Sequence, residues 1–297
     1  MSKRLYALVF LVIIAVVFAV AQDQPAKPIA PAPEVTSFTF AVFGDNRPGT
    51  PDGAQPEAYR TVLKKIDSFE PAFAVSTGDS IYGSWNPLKM QEQYEKYVQV
   101  TKANLRAKVY LALGNHEIAG NPVNQAFFQK ELPGLYYSFD HGNAHFIVLD
   151  SYIVGQANKV TGDQLEWLKE DLQKSRAIRH RFVFLHSPLY PVDGHMGQCL
   201  DKYPKDRDAL HALFVKSRIT AVFVGHEHLF HQQMKNGVRY VITGGGGAPL
   251  YPSYDGKGDF HHFVLVNVSG DKVEMKVVKP AFGKSPEEIL PLEKAGE

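Results

Sequence analysis

The sequence predicts an α/β fold in which mixed β-sheets are covered by helices. Through the first two thirds of the chain, short apolar runs rich in β-branched and aromatic residues alternate with segments of helical period. The last third instead carries two apolar runs joined by Gly270-Asp271, a pattern typical of an antiparallel hairpin. Mixed sheets with helices on their outer faces accommodate both patterns.

The amino-terminal segment has the order of residues found in a secretory signal peptide. Lys3 and Arg4 precede an apolar run over residues 5–21, and small residues close this run before Gln22. We therefore predict a signal peptide over residues 1–21 and a periplasmic or secreted protein. The run is also just long enough for an uncleaved membrane anchor, so this alternative stays open. Residues 22–35, rich in Pro and Ala, are predicted to be an extended linker.

Residues 36–278 are predicted to form one globular domain. Its strands are expected at the apolar runs, most of which end at Gly, Asp or His: Phe38–Phe43, Phe73–Ser76, Val109–Leu113, Ala144–Leu149, Arg181–Leu185, Ala221–Val224 and Val238–Ile242. The final hairpin should pair His262–Ser269 with Lys272–Val278 and form an antiparallel edge. Residues 279–297, rich in Pro, Lys and Glu, are predicted to be a loosely held tail.

Two segments repeat apolar residues at helical spacing. They are Tyr59, Val62, Leu63 and Ile66 in the first segment, and Leu165, Leu168 and Leu172 in the second. Thr161 and Gln164 have the spacing of a capping box, which predicts the start of the second helix.

The charge balance excludes a strongly basic or acidic protein. Lys and Arg number 32 and Asp and Glu number 31, so no overall field favours nucleic acid or an acidic membrane surface. We expect no nucleic-acid partner, and a membrane only where the amino-terminal segment is retained. Cys199 is the single cysteine, so no internal disulfide can form, and we expect a buried free thiol.

Five polar clusters follow the predicted strands at their carboxyl ends: Gly44-Asp45-Asn46-Arg47, Gly78-Asp79-Ser80-Ile81-Tyr82, Gly114-Asn115-His116-Glu117, His186 and Gly225-His226-Glu227-His228. The carboxyl ends of strands in α/β sheets meet at one crevice, so these side chains are expected to lie together. Asp, Asn, His and Tyr form a ligand set for two hard or borderline metal ions. His226 and His228 project to one side of an extended segment, and Gly225 lets the backbone approach the site closely.

In this order, the motifs GD, GDxxY, GNHE, a single His and GHxH resemble those of the calcineurin-like metallophosphoesterases. Tyr82 makes the resemblance closest to the purple acid phosphatase branch. The resemblance spans Phe38 to Val278 and implies a four-layer α/β/β/α sandwich, made of two mixed β-sheets flanked by helices, with a two-metal centre along one edge. Asp79 would bind both ions, because a carboxylate has two oxygens.

The resemblance also implies a role for each site residue. The ligands of one metal ion would be Asp45, Asp79, Tyr82 and His228, and those of the other Asp79, Asn115, His186 and His226. His116 corresponds to the family residue that stabilises the transition state or protonates the leaving group.

The first cluster departs from the pattern of the broad superfamily. Most members have a metal-binding histidine two residues after the first Asp, but this chain has Arg47, which stays protonated and cannot bind a metal. Tyr82 can take that coordination role. Because a phenol has an unperturbed pKa of about 10, a trivalent ion suits it better than a divalent one.

The expected cofactor is therefore a pair of metal ions, Fe(III) with divalent Fe, Zn or Mn. Two divalent ions are the alternative. Arg47 is expected either to contact two phosphate oxygens or to form a salt bridge that orders its loop.

The resemblance implies an exported binuclear phosphoesterase, similar to an acid phosphatase, that hydrolyses small-molecule phosphate esters. Members of the family attack phosphorus with a metal-bound hydroxide. The positive charge expected of such a centre favours phosphomonoesters. Two alternatives stay open: a phosphodiesterase with two divalent ions, and a non-catalytic envelope protein that retains the scaffold. His116 favours an enzyme, since a structural metal site does not need it.

Several neighbouring residues carry weaker expectations. Gly244–Gly247 is expected to be a turn of close backbone approach rather than a nucleotide-binding loop, because it lacks the lysine and spacing of such a loop. His195 is expected to reach substrate from a loop. Glu117 and Glu227 are expected either to orient the ligand imidazoles or to face solvent.

Overall fold

The computed structural model describes residues 36–192, 194–251 and 258–292, all of which belong to one compact unit. Its strands are β1 (Ser37–Phe43), β2 (Phe73–Ser76), β3 (Lys108–Leu111), β4 (Tyr137–His141), β5 (Ala144–Val148), β6 (His180–Phe184), β7 (Ala221–Val224), β8 (Phe230–Lys235), β9 (Val238–Thr243), β10 (Phe263–Ser269), β11 (Lys272–Lys279) and β12 (Glu288–Pro291). Its helices are α1 (Glu57–Asp67), α2 (Pro87–Asn104), α3 (Asn115–Ile118), α4 (Pro122–Glu131), α5 (Gly162–Lys174) and α6 (Pro204–Lys216).

The strands form two mixed sheets of six strands each. The order is β12-β11-β10-β1-β2-β3 in the first sheet and β4-β5-β6-β7-β9-β8 in the second. β1, β2 and β3 are parallel, whereas β10, β11 and β12 add an antiparallel edge. In the second sheet β5, β6, β7 and β9 are parallel, and β4 and β8 are antiparallel edge strands. The predicted hairpin and its antiparallel edge are confirmed.

Alternating side chains of the strands build three apolar layers. In β1, Phe40 and Val42 pack in the core between the two sheets, while Ala41 and Phe43 face the core beneath α1, α2 and α4. The second sheet does the same, because Phe146 points to the core between the sheets while Ile147, the next residue of β5, packs with α5 and α6. The predicted four-layer α/β/β/α sandwich is confirmed.

The predicted capping box is wrong. Thr161 does precede α5, but its side chain makes no capping hydrogen bond. The Gln164 side chain is buried and instead accepts from the Asp150 amide at 2.8 Å and donates to the Asp150 carbonyl at 2.8 Å. The buried loop after β5 needs these two hydrogen bonds, so the side chain is not available to cap its own helix.

The predicted loose tail is wrong over part of its length. β11 runs through Lys279, and Glu288–Pro291 pairs antiparallel with it as β12. The sequence of β12 contains no long apolar run that would predict a strand, and its residues are exposed. Backbone pairing with β11 rather than burial holds it in place.

The amino-terminal predictions, residues 1–21 and 22–35, lie outside the described residues. Within the described ranges, no helix combines the length and the apolar character needed to cross a bilayer. Cys199 is a buried free thiol, as predicted.

Candidate metal centre

All five polar clusters meet at the carboxyl ends of the parallel strands, as the sequence predicts. Asp45 follows β1, Asp79 follows β2, Asn115 begins α3 after β3, His186 follows β6, and His226 follows β7. The loops interlock through their backbones, since the Asp45 amide donates to the Gly78 carbonyl at 2.9 Å. Strands from both sheets therefore supply side chains to one crevice.

Two groups of three side chains in this crevice can each hold a metal ion. One group is Asp45, Asp79 and His228, and the other is Asp79, His186 and His226. Within each group, one nitrogen or oxygen atom per residue lies within 4.8 Å of the others. Asp79 belongs to both groups, which is the arrangement that a bridging carboxylate requires.

The Asp79, His186 and His226 group is completed by Asn115. His186 Nδ1 donates to the Thr77 carbonyl at 2.9 Å, so Nε2 is the ring nitrogen that faces the crevice. This Nε2 lies 3.2 Å from Asn115 Oδ1 and 3.2 Å from His226 Nδ1, and the last two atoms are 3.1 Å apart. Three such atoms repel one another unless a proton or a metal ion lies among them, so the donor set fits a metal ion.

The ring of His228 is fixed in the other group. Its Nδ1 donates to the Pro249 carbonyl at 2.6 Å, and its Nε2 lies 3.5 Å from Asp45 Oδ1. Tyr251 stacks on this ring with centroids 4.2 Å apart and planes 4° from parallel. The backbone carbonyl thus selects the tautomer whose free nitrogen faces the carboxylate.

The ligand loops hold strained backbone conformations. Asp45, Asp79 and His226 have φ values of 58°, 54° and 70°, a left-handed region that costs non-glycine residues about 1–3 kcal/mol each. A Cβ on Gly225 would lie 2.3 Å from Asp45 Oδ2, and one on Gly114 would lie 2.1 Å from Asp79 Oδ1. The close approach predicted at Gly225 is confirmed, and strain of this kind is characteristic of functional sites.

Burial and neighbouring charges shift the pKa values of the two carboxylates, Asp45 and Asp79. Burial raises the pKa of Asp45 well above its ordinary value. Burial also opposes ionisation of Asp79, but the charges of His186 and His116 outweigh it and hold the pKa of Asp79 below its ordinary value. Burial disfavours charge on His186, yet Asp79 chiefly raises its pKa to about 9. A metal cation bound in this crevice would stabilise the ionised carboxylates in the same way as the histidine charges do.

The other two candidate ligand histidines, His226 and His228, stay neutral near pH 7. Burial lowers the pKa of His226 to about 2, with His186 adding to the effect. Burial also lowers the pKa of His228 to about 4. Neutral imidazole is the form that binds metal ions.

Tyr82 and Arg47 lie together at the rim of the crevice. The Arg47 guanidinium carbon is 5.7 Å from the centre of the Tyr82 ring, and that ring is 5.8 Å from the ring of His116. Arg47 forms no ion pair with any described carboxylate, and its buried Nε has no hydrogen-bond partner there. The described residues therefore do not provide the loop-ordering salt bridge that was one of the two expectations for Arg47.

His116 and Glu117 face different parts of the crevice. His116 Nε2 lies 3.8 Å from Asp79 Oδ2, and its Nδ1 contacts the Tyr82 carbonyl. Glu117 is fully buried and accepts from the backbone amides of Asp79 at 3.0 Å, Ser80 at 2.6 Å and Gly114 at 2.8 Å. Glu117 was expected either to orient a ligand imidazole or to face solvent, and both expectations are wrong. Its carboxylate instead fixes the backbone of two loops that carry candidate ligands.

Comparison with known proteins identifies the family. The family model described as calcineurin-like phosphoesterase matches residues 38–230, which is more than half of the chain. The chain belongs to the calcineurin-like phosphoesterase family. Every candidate ligand named above lies inside the matched range.

Individual relatives of the family include phosphatases of two kinds. Purple acid phosphatase 21 of Arabidopsis thaliana is 30% identical over 159 residues, which cover 45% of this chain and 35% of that protein. The Bos taurus serine/threonine-protein phosphatase CPPED1 is 29% identical over 213 residues, which cover 69% of this chain and 66% of that protein. The match thus spans from about a third to about two thirds of the length of these relatives.

A solved structure shows the same fold. Purple acid phosphatase PPD1 from yellow lupin (Lupinus luteus) seeds has a TM-score of 0.64 and 18% identity, and the match covers 84% of this chain and 53% of the lupin chain. At this identity the likeness concerns the fold alone.

Three aromatic residues lie beside the candidate ligand histidines. The ring of His195 lies 4.5 Å from the ring of His226, at the crevice, and its contact with substrate stays a prediction. Tyr152 lies 5.8 Å from the His186 ring, and Tyr251 covers His228. Sequence reasoning missed both tyrosines, because neither belongs to a motif and their loops have no apolar period.

The structure also tests the expectations for the glycine turn over residues 244–247 and for Glu227. The turn over residues 244–247 is one of close approach, since a Cβ on Gly246 would lie 2.3 Å from the Gly44 carbonyl oxygen. Glu227 is fully buried, so it does not face solvent, and its carboxylate accepts from the Val192 amide at 2.9 Å.

Proposed function

We propose that this chain is a binuclear metal-dependent phosphoesterase that hydrolyses small-molecule phosphate esters. The observation that carries the proposal is the sharing of buried Asp79 between two metal-binding groups, with His116 beside it. Two bound ions would supply positive charge for the phosphoryl oxygens and would lower the pKa of a water molecule. The family assignment and the phosphatases among the relatives support the same reaction class.

The ligands divide into two sets that match the two groups. One ion would be held by Asp45, Asp79, Tyr82 and His228, and the other by Asp79, Asn115, His186 and His226. The first set contains three groups that become anions, so we propose Fe(III) there and divalent Fe, Zn or Mn at the second. Tyr82 supports this choice through its chemistry, since a phenolate binds a trivalent ion strongly.

His116 and Arg47 would act on the substrate rather than on the ions. His116 Nε2 faces Asp79 from outside the two ligand sets, where it can hold a proton for the departing alcohol. Arg47 has an unsatisfied buried Nε and a planar donor fork, which suit two oxygens of a phosphate group. Both residues would therefore be catalytic or substrate-binding groups.

The proposed charge of the centre favours phosphomonoester dianions over phosphodiester monoanions. The test is hydrolysis of matched pairs, such as an aryl phosphate and the corresponding diaryl phosphate, by the purified protein with iron and zinc supplied. A higher kcat/KM for the monoester supports the proposal. A preference for the diester, by a protein holding two divalent ions, would instead favour the phosphodiesterase alternative.

Absence of turnover on both ester classes, in protein that holds two metal ions, would favour the non-catalytic scaffold protein. His116 and Arg47 argue against that alternative, because neither is needed to hold a metal ion.

Export is a separate proposal that rests on residues 3–21 of the sequence. Amino-terminal sequencing of the exported protein tests it, and we expect the mature chain to begin at Gln22. Recovery of the uncleaved chain in the membrane fraction would support the anchor, and recovery in the cytoplasm would contradict export.

A further inference from the structure

A second polar region lies at the opposite end of the strands that carry His186 and His226. It is a cavity of about 800 Å³ between the carboxyl ends of α5 and α6, next to the first residues of β6 and β7. β6 has five residues, so the cavity is on the order of 15 Å from the metal centre. The two regions are therefore distinct.

Six cationic side chains line this cavity, which we call the basic pocket: Lys169, Arg176, Arg179, Arg181, Lys216 and Arg218. No acidic side chain is found among its described lining residues. This concentration of one sign of charge stands apart from the near balance of the whole chain.

Only two of the six cations have a carboxylate partner among the described residues. Lys169 pairs with Glu166 at 2.7 Å, and Arg179 pairs with Asp271 at 2.9 Å. The other four form no ion pair within the described ranges. The ends of two helices contribute only about half a negative charge each, so roughly three positive charges remain uncompensated.

Arg181 forms the base of the pocket and has a structural role. It is buried, and it donates to the Ser175 carbonyl at 2.8 Å and the Ser217 carbonyl at 2.9 Å, which satisfies the ends of both helices. Burial lowers the pKa of Arg181, and the charge of Arg218 adds to the effect. Arg181 alone therefore caps both helices. Lys216 and Arg218 are not needed for this capping, and they bring further positive charge close to Arg181 in spite of the electrostatic repulsion.

We propose that the basic pocket binds a small soluble polyanion that carries at least two phosphate groups. The volume is in the range of small-molecule sites, and guanidinium groups match phosphate oxygens in pairs. The concave shape favours a small ligand over a bilayer or a nucleic-acid duplex. Large exposed apolar side chains, which membrane contact would need, lie elsewhere among the described residues, for example Trp85 and Leu88.

Tripolyphosphate is the probe for this proposal, titrated calorimetrically into the metal-loaded protein at low and at physiological salt. The test variant is Lys216→Gln/Arg218→Gln, because both side chains are exposed and neither caps a helix. The control is Lys64→Gln/Lys130→Gln, which removes two exposed cations from the last turns of α1 and α4. A third protein, Asp79→Asn, removes phosphate binding at the metal centre.

We expect the test variant to bind tripolyphosphate outside the metal centre about tenfold or more weakly, a change of about 1.4 kcal/mol. The control and Asp79→Asn should keep this binding, which should weaken as salt screens the charges. The test variant should also keep the melting temperature of the wild type, which shows that it is folded. Neither the titration nor the melting temperature requires phosphatase turnover, so the inference can be tested whether or not the proposed function holds.

Three results would overturn the proposal. The test variant could bind tripolyphosphate as the wild type does, or the control could lose as much affinity as the test variant. In the third, the wild type fails to bind tripolyphosphate outside the metal centre but binds phosphatidylserine vesicles or a single-stranded oligonucleotide through these residues. That outcome would assign the pocket to a membrane surface or to nucleic acid.

Discussion

The two halves of the candidate metal centre differ in the charge of their side chains. The Asp45 half has two buried carboxylates and one histidine, with Tyr82 and Arg47 at its rim. The Asn115 half has only the shared carboxylate Asp79, joined by nitrogen and oxygen atoms that carry no negative charge and lie 3.1–3.2 Å from one another. An ion of higher charge therefore suits the Asp45 half, and a divalent ion suits the Asn115 half.

The halves also differ in how the protein holds their side chains. The Asp45 half depends on contacts between loops, since both carboxylate oxygens of Asp45 accept from the His226 amide at 3.0 Å. The Asn115 half depends on a direct cluster of side-chain atoms with one ring fixed by Thr77. Substitutions can therefore disable one half while the other survives, and this separates the two ions experimentally.

The largest effect is expected from Asp79→Asn, because one substitution weakens both halves. We predict loss of both metal ions and loss of hydrolysis, measured by elemental analysis and by turnover of an aryl phosphate. The matched control is Asp45→Asn, which should weaken only the Asp45 half and leave close to one ion per chain. Near-normal turnover with two ions retained in Asp79→Asn would contradict the bridging role.

His116→Ala should reduce kcat by roughly 10²–10⁴-fold, the usual scale for general acid–base assistance, while both metal ions stay bound. The reason is that His116 faces Asp79 from outside both ligand sets. Elemental analysis alongside single-turnover kinetics checks this. If the metal content falls with the rate, His116 is a ligand and its proposed role is wrong.

Tyr82→Phe tests the Asp45 half alone. A phenolate on Fe(III) absorbs visible light by charge transfer, so the wild type should be violet and the variant colourless, with an unchanged melting temperature. The same substitution should leave the divalent ion in the Asn115 half.

The exchange of roles between Tyr82 and Arg47 has its own test. Adding Arg47→His to Tyr82→Phe offers an imidazole to the Asp45 half and should partly restore metal binding without the violet band. Metal binding no better than that of Tyr82→Phe alone would refute the exchange.

Arg47→Ala should have a smaller effect on the same half. We expect the colour and the metal content to stay, KM to rise and inhibition by phosphate to weaken, since a substrate contact rather than a ligand is lost. Initial rates over a range of substrate and phosphate concentrations give both values. Loss of the ion in the Asp45 half would show instead that Arg47 holds the loop of Asp45.

The smallest effect is expected from His145, a buried histidine outside the centre that is also held by carboxylates. Burial disfavours its charged form, but hydrogen bonds with Asp171 at 2.8 Å and Asp140 at 2.5 Å outweigh this and raise its pKa. Its contribution to stability is therefore complete below the unfolded pKa of about 6.5 and is lost as pH rises through the folded value. His145→Gln should lower the melting temperature at pH 5.5 more than at pH 9, with unchanged metal content. An equal loss at both pH values would contradict the raised pKa.

Most strands and the crevice were predictable from the sequence, because strand ends and polar clusters coincide along it. The runs from Phe38–Phe43 to Val238–Ile242 all form strands in the order expected. β4, β8 and β12 were not among the predicted strands, since none of them contains a run of buried apolar residues. Edge strands of this kind depend on pairing with a neighbouring strand, which lies beside them only in the folded chain.

The site was predictable as a set of residues but not as a geometry. The motifs identify the candidate ligands from Asp45 to His228 as one set. Nothing in the motifs shows that Glu117 accepts hydrogen bonds from three backbone amides or that Tyr251 stacks on His228. The basic pocket was hidden for another reason. Its cations come from two short segments, residues 169–181 and 216–218, and their charge disappears in the balanced total.

The central claim, that two unlike metal ions share Asp79, is tested most directly by anomalous diffraction from crystals of the metal-loaded protein, collected on both sides of the iron absorption edge. We expect two peaks in the crevice, both in contact with the Asp79 carboxylate, with the iron signal confined to the Asp45 half. A single peak, or two ions that do not both contact Asp79, would contradict it.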